Sequence, residues 1–282
     1  MQTLTMNNGR TIPVLGYGVF QMTSAEVAAH LPEAIAAGYR HIDTANAYFN
    51  EVAVGRVVAS SPVAREDLFI TSKLFPQSYP YAQCGKDIDA TLERLGTGYV
   101  DLLLLHQPYG EYVSAWRAME EAVEAGKVRS IGLSNFSAAK VHEILDVARI
   151  APAVLQVEAH PYWNQHALKA ALADTGVVFE AWYPLGHGDR TLLAEPALTG
   201  PAARYGKTAA QVVLRWHIQE GNVTFPKTLN PRHMADNLDI FDFTLTGEEV
   251  AAINALPQRP YYQVPDEPPA FVTTVMDYSR QA

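Results

Sequence analysis

Apolar residues along the chain follow two alternating rhythms. Short, nearly continuous apolar runs recur at Gly16–Phe20, His41–Ala45, Leu68–Leu74, Val100–Gln107, Ser130–Ser134, Val154–His160, Val177–Tyr183 and Val223–Lys227. Between them lie amphipathic stretches of helix length, such as Glu26–Ala37, Glu51–Ser60, Lys86–Leu95, Ala115–Ala125 and Ala138–Ala148. A run that is apolar on both faces predicts a strand of a parallel sheet, because helices cover such a sheet on each side. Eight strand–helix units favour a closed (β/α)8 barrel over an open doubly wound sheet.

Local signals agree with this reading. Thr23 with Glu26, and Thr246 with Glu249, have the spacing of a capping box. Ser137 is placed to cap the helix that follows it. Gly38, Gly96 and Gly126 fall where helices should end. Asn7-Asn8-Gly9 between short strands predicts a hairpin turn, which could plug one end of the barrel. The tail Pro257–Ala282 is rich in proline and aromatics and reads as a long loop packed over the barrel mouth. A length of 282 residues suits one barrel domain spanning 1–282.

Composition narrows the partners. A formal net charge of -9 disfavours a phosphate backbone or an anionic membrane surface. One cysteine, Cys84, permits no intramolecular disulfide and points to a reducing compartment. Met1 to Arg10 lacks the pattern of a signal peptide, and no apolar run approaches membrane-spanning length. The expectation is a cytoplasmic protein.

Catalytic groups of such barrels come from the C-terminal ends of strands. Asp43, Lys73 and His106 fall there, and Tyr48 follows the second run closely. Gln156, Glu158 and His160 share one face of the sixth run, since strand side chains alternate. Each has an ordinary explanation: Asp43 and Lys73 could be a structural ion pair, and His106 a satisfied core histidine. Together they suit proton delivery to a carbonyl. An ammonium near a tyrosine favours its phenolate and eases release of the proton. A histidine can orient the carbonyl oxygen. The set holds no strong nucleophile, so reducing equivalents must come from a cofactor.

Gly38-Tyr-Arg-His-Ile-Asp-Thr-Ala45, with Tyr48, Asn50-Glu51 and Gly55, resembles the first signature of the aldo-keto reductases. Leu102-Leu-Leu-Leu-His106, Ile131-Gly-Leu-Ser-Asn-Phe136, Gln156-Val-Glu-Ala-His-Pro-Tyr162 and Phe225-Pro-Lys-Thr228 resemble its later blocks, in the family's order. The chain is similar to bacterial members of the 2,5-diketo-D-gluconate reductase type. The resemblance implies reduction of aldehydes or ketones of modest size by hydride from NADPH. It implies a tetrad in which Tyr48 is the general acid, Lys73 paired with Asp43 lowers its pKa, and His106 orients the carbonyl. It places Ser134, Asn135 and Gln156 on the nicotinamide carboxamide, Trp182 against the nicotinamide ring in place of the usual tyrosine, and Leu185 and Gly186 on the pyrophosphate. Lys227 and Thr228 match the 2'-phosphate site, and Asp236 and Asn237 the adenine. The resemblance also implies a monomer.

Four departures colour this. His233, beside Arg232, stands where arginine is usual. Histidine is mostly neutral near pH 7, so NADH should be tolerated as well. Gln107 follows His106 where tryptophan is common, and Tyr183 replaces a small serine. Phe75 also stands where tryptophan is common. Phe20, Phe75 and Gln107 should line the substrate pocket, closed by some of Tyr109, Tyr112, Tyr261 and Tyr262.

Two rivals remain on residue types. His41, Asp43, His106, Glu158 and His160 could gather as ligands of a metal-dependent barrel hydrolase, although the predicted site carries no metal. A regulatory subunit that binds cofactor with little turnover is the other.

Overall fold

In the computed structural model, residues 2–281 are described; Met1 and Ala282, the ends of the predicted domain, lie outside them. The chain opens with an antiparallel hairpin, β1 (Thr3–Thr5) and β2 (Thr11–Pro13), turned at Gly9 with φ +78°. Eight strands follow: β3 (Tyr17–Gly18), β4 (His41–Asp43), β5 (Phe69–Leu74), β6 (Leu102–Leu105), β7 (Ile131–Ser134), β8 (Val154–Glu158), β9 (Val178–Trp182) and β10 (Asn222–Thr224). Each pairs in parallel with its sequence neighbour. A parallel bridge between Leu15 and Thr224 closes the ring, so the sheet is a (β/α)8 barrel.

Twelve α-helices are described. They are α1 (Ser24–Ala37), α2 (Glu51–Ser60), α3 (Tyr81–Leu95), α4 (Tyr112–Glu124), α5 (Ala138–Leu145), α6 (His166–Ala171), α7 (Arg190–Leu193), α8 (Pro196–Tyr205), α9 (Ala209–Gln219), α10 (Pro231–Leu238), α11 (Gly247–Asn254) and α12 (Ala270–Thr273). The predicted caps form: Thr23 and Thr246 make full capping boxes, Ser137 accepts from the Lys140 N–H, and Gly38 and Gly96 take left-handed conformations.

Strand alternation sorts the core in two. Outward side chains pack against the helices. Inward ones form a second cluster in which Leu102, Leu104, Val154, Val223 and Phe225 meet Met6 and Ile12 of the hairpin region. The hairpin therefore stoppers the N-terminal end of the barrel, held by Asn7 Nδ2 on the Pro152 carbonyl (2.7 Å) and Asn8 Nδ2 on Ser130 Oγ (2.9 Å). Gly132 on β7 must be glycine, because a Cβ there would come within 2.5 Å of the Val154 carbonyl and 2.7 Å of Leu104 Cδ2.

The sequence reading errs at edges. Helix α3 starts at Tyr81, five residues before the predicted Lys86, because Pro80 opens the helix where the apolar pattern is still silent. Helix α5 stops at Leu145, short of Ala148. The tail is not all loop: it holds α12 and a 3-10 turn at Tyr278–Arg280. It does cross the barrel mouth. Both oxygens of Glu158 accept from its backbone, Oε1 from the Tyr261 N–H (2.5 Å) and Oε2 from the Tyr262 N–H (2.9 Å).

Candidate active site

The strand ends deliver four polar side chains to one mouth. Asp43 ends β4, Lys73 lies one residue before the end of β5, and His106 follows β6 with its N–H on the Leu74 carbonyl (2.9 Å). Tyr48 ends a 3-10 turn, Asn46–Tyr48, whose Asn46 carbonyl accepts from Gln281 Nε2 of the tail (3.1 Å).

Lys73 is fully buried and spends its ammonium on four oxygens. It donates to Asp43 Oδ1 (2.6 Å) and Oδ2 (2.8 Å), to the Thr44 carbonyl (3.0 Å) and to the Tyr48 hydroxyl oxygen (3.2 Å). Burial alone would push the lysine pKa down; Asp43 and Tyr48 outweigh it and hold the ammonium charged above its ordinary range. Because the Tyr48 oxygen accepts from Lys73, its own proton is left for the cavity.

Burial and Lys73 pull the Tyr48 pKa in opposite directions. Burial is the larger effect and pushes the hydroxyl up to about 12, while Lys73 draws it down. His106 is held well below its ordinary pKa, first by burial and then by Lys73, so it is a neutral imidazole. Its Nδ1 is buried without a partner, which leaves Nε2 for a bound molecule. Rings brace the pair: Tyr48 and His106 meet edge-on with centroids 5.7 Å apart, Phe20 leans on Tyr48 and Phe75 on His106.

These groups face a cavity of about 610 Å³. It brings together Asp43, Tyr48 and His106 with the predicted Phe20, Phe75, Gln107, Ser134, Asn135, Gln156, Trp182, Leu185 and Lys227. Lys73 stands behind them. Gly186 does not line the cavity; it forms the turn between Leu185 and His187, which do, at φ +59°, and a Cβ there would lie 2.7 Å from Leu192. Thr228, Arg232, His233 and Asn237 do not line the cavity. Thr228 precedes α10 and accepts from the Tyr17 hydroxyl through its carbonyl (2.5 Å). Arg232 is exposed, with Nε 3.9 Å from Asp236, while Asn237 is buried beside Tyr39. Of the four tyrosines expected to close the pocket, only Tyr262 lines it. Tyr109 donates to the Pro265 carbonyl, Tyr112 to Glu143 and Tyr261 to Asp189. Phe271 and Met276 of the tail take that place, a role their loop setting did not signal.

The floor is polar. Trp182 Nε1 donates to Asn135 Oδ1 (2.9 Å), and Asn135 Nδ2 donates to the His106 carbonyl (3.0 Å) and Ser134 Oγ (3.2 Å). Asn135 is therefore a brace with both amide protons engaged, and only its Oδ1 keeps spare capacity, one lone pair beyond the Trp182 contact. Gln156 Nε2 donates to Asp43 Oδ2 (3.0 Å) and Glu180 Oε2 (2.9 Å). The Ser134 hydroxyl proton and the Gln156 amide oxygen also remain for a ligand. Asn135, Tyr183 and His187 around the Trp182 indole all have positive φ, a strained backbone common at ligand sites.

The candidate metal ligands named from the sequence do not converge. His41 is buried deeper in the barrel on Thr71 Oγ1 (2.9 Å), and His160 is turned onto Glu158 (2.8 Å). No group of three ligand side chains suited to a metal exists among the described residues. None of the described helices is long and apolar enough to cross a membrane.

Known proteins share this architecture and sequence. A profile of the Aldo/keto reductase family matches residues 14–258. An aldo-keto reductase of Mycolicibacterium smegmatis is 43% identical over 256 residues, covering 90% of this chain and 92% of its own. The morphine 6-dehydrogenase of Pseudomonas putida is 40% identical over 267 residues, covering 90% of each. The crystal structure of a Bombyx mori aldo-keto reductase in complex with NADP superimposes with a TM-score of 0.85 at 34% identity, over 90% of this chain and 92% of that one. With the family's profile spanning most of its length and its strand-end residues gathered at one mouth, the chain belongs to the aldo/keto reductase family.

Proposed function

We propose that the chain is one barrel domain, acting as a monomer, that reduces aldehydes or ketones to alcohols with NADPH, Tyr48 serving as the general acid. The observation that carries this is the Lys73 contact: it occupies the Tyr48 oxygen and leaves the hydroxyl proton for the cavity. When bound, the nicotinamide supplies the hydride.

The donor set fits that cofactor. A carboxamide needs one acceptor for its NH2 and one donor for its oxygen, and the floor offers the Gln156 amide oxygen and the Ser134 hydroxyl. The Trp182 indole, fixed through Asn135, offers a flat face. Lys227 at the exposed rim offers a cation for a phosphate.

The residues then divide the work. Neutral His106 donates from Nε2 to the carbonyl oxygen and holds it. Tyr48 protonates that oxygen, and Lys73, anchored by Asp43, stabilises the phenolate that results. Phe20 and Phe75 cover the apolar part of the substrate and exclude water, and Gln107 adds one polar group to that wall. The test is NADPH oxidation driven by a panel of aldehydes and ketones. Many turnovers per enzyme, abolished in Tyr48→Phe, are expected; NADPH binding without turnover on any carbonyl would favour a cofactor-binding subunit instead.

A further inference from the structure

We propose that Glu180 is a positioning residue: it locks the side-chain amide of Gln156 so that the amide oxygen, and not its nitrogen, faces the cavity. The proposal rests on the cofactor reading above for its purpose, though not for its test.

The geometry is a shared donor. Strand β9 alternates Val178, Glu180 and Trp182 into the barrel, and Glu180 is the direct neighbour of Gln156 on β8. The Gln156 NH2 has two protons. One goes to Asp43 Oδ2 and the other to Glu180 Oε2. Turning the amide over would set its oxygen against both carboxyl oxygens at about the same distances. Two acceptors on opposite strands thus fix the orientation more firmly than one.

Glu180 plays this part as a neutral acid whose proton sits on Oε1, so that Oε2 remains an acceptor for the Gln156 amide. It is buried, and its Oε1 has no hydrogen-bond partner. The titratable groups around it are Asp43 and His41 on β4 and Lys73 on β5. Asp43 takes the Lys73 ammonium for itself. His41 Nε2 lies 3.9 Å away, is engaged by Thr71 Oγ1 and stays neutral. A carboxylate here would sit unpaired beside Asp43. Burial, followed by repulsion from Asp43, raises the Glu180 pKa to about 8. As pH rises through that value, Glu180 ionises next to Asp43, and the amide from which both accept feels the new charge.

The test has two arms. In the first, the Gln156 side-chain amide signals of the ligand-free protein are followed by NMR in the wild type, Glu180→Gln and Glu180→Leu. Both amide protons should be shifted and protected in the wild type and in Glu180→Gln, which keeps an acceptor oxygen. In Glu180→Leu one proton should be released. The wild-type signals should move between pH 7 and 9, and those of Glu180→Gln should not. In the second arm, NADPH affinity is measured by quenching of tryptophan fluorescence. Glu180→Gln should bind within about twofold of the wild type at pH 7, and Glu180→Leu about tenfold more weakly, as expected for one buried hydrogen bond lost. Unchanged Gln156 signals in Glu180→Leu would overturn the proposal, as would equal disruption by Glu180→Gln. Because Glu180→Gln preserves shape, it decides the matter even if Glu180→Leu fails to fold. Wild-type protein that shows the locked amide but binds no NADPH would sink the cofactor reading and leave the contact between the two side chains established.

Discussion

Lys73 Nζ donates to the Tyr48 hydroxyl oxygen at 3.2 Å while Asp43 holds the same ammonium from the other side at 2.6 Å. The hydroxyl proton is thereby reserved for whatever enters the cavity. Tyr48→Phe keeps the ring packed between Phe20 and His106 and deletes only that proton. The kcat for carbonyl reduction should fall about 10²–10⁴-fold, the usual contribution of a general acid, with NADPH affinity within about twofold. A variant turning over at the parent rate would assign the proton to another group.

Removing the ammonium should cost stability as well as rate. Lys73→Met leaves Asp43 buried without its cation, which costs about 3–5 kcal/mol in comparable cases. Chemical denaturation should show that loss, and the double change Lys73→Met with Asp43→Asn should recover part of it. No recovery would mean that lysine packing, not charge, is what matters.

Buried neutral histidines set a pH limit. His41 and His217 are pushed down to about 3 by burial, whereas an unfolded histidine titrates near 6.5. Below about pH 6.5 the unfolded chain takes up protons that the folded chain refuses. The stability these groups contribute is therefore complete above pH 6.5 and lost as pH falls towards 3. Each such group, His106 among them, contributes a slope of about 1.4 kcal/mol per pH unit once its unfolded form is charged, and a buried acid that stays neutral when folded, such as Glu180, opposes it. His217 is pinned between the Pro184 carbonyl (3.1 Å) and Asn222 Nδ2 (3.1 Å), so His217→Gln should flatten the acid side of the profile by about 1.4 kcal/mol per pH unit. Urea midpoints of both proteins at pH 7, 6 and 5 check this; parallel profiles would contradict it.

Cofactor preference should rest on Lys227. Its ammonium lies at the rim, and Arg232 is exposed with only a long contact to Asp236. Lys227→Ala should weaken NADPH about 10–100-fold and NADH less than about twofold, since only NADPH carries the 2'-phosphate. Equal losses for both would remove the 2'-phosphate from this place.

Much of this was legible in the linear order of residues. Eight apolar runs, two capping boxes and the position of Asp43, Lys73 and His106 at strand ends follow from period and cap chemistry, and the barrel places them where expected. Three things were not. Asn135 looks like a ligand in sequence, but whether its amide is free depends on the Trp182 N–H reaching it across β7 and β9. The pKa of Tyr48 depends on burial, which no motif reports. Phe271 and Met276 lie in a tail with no periodicity, and they reach the cavity only because Glu158 and Gln77 hold its backbone.

The hairpin at the base has a consequence for traffic. With Met6 and Ile12 packed into the far end of the barrel, the cavity opens at the mouth that the tail crosses, and substrate and product share that side of the molecule. Tyr262, Phe271 and Met276 form part of the doorframe. Arrivals and departures therefore queue at the same threshold, and loosening the tail would quicken both or slow both together.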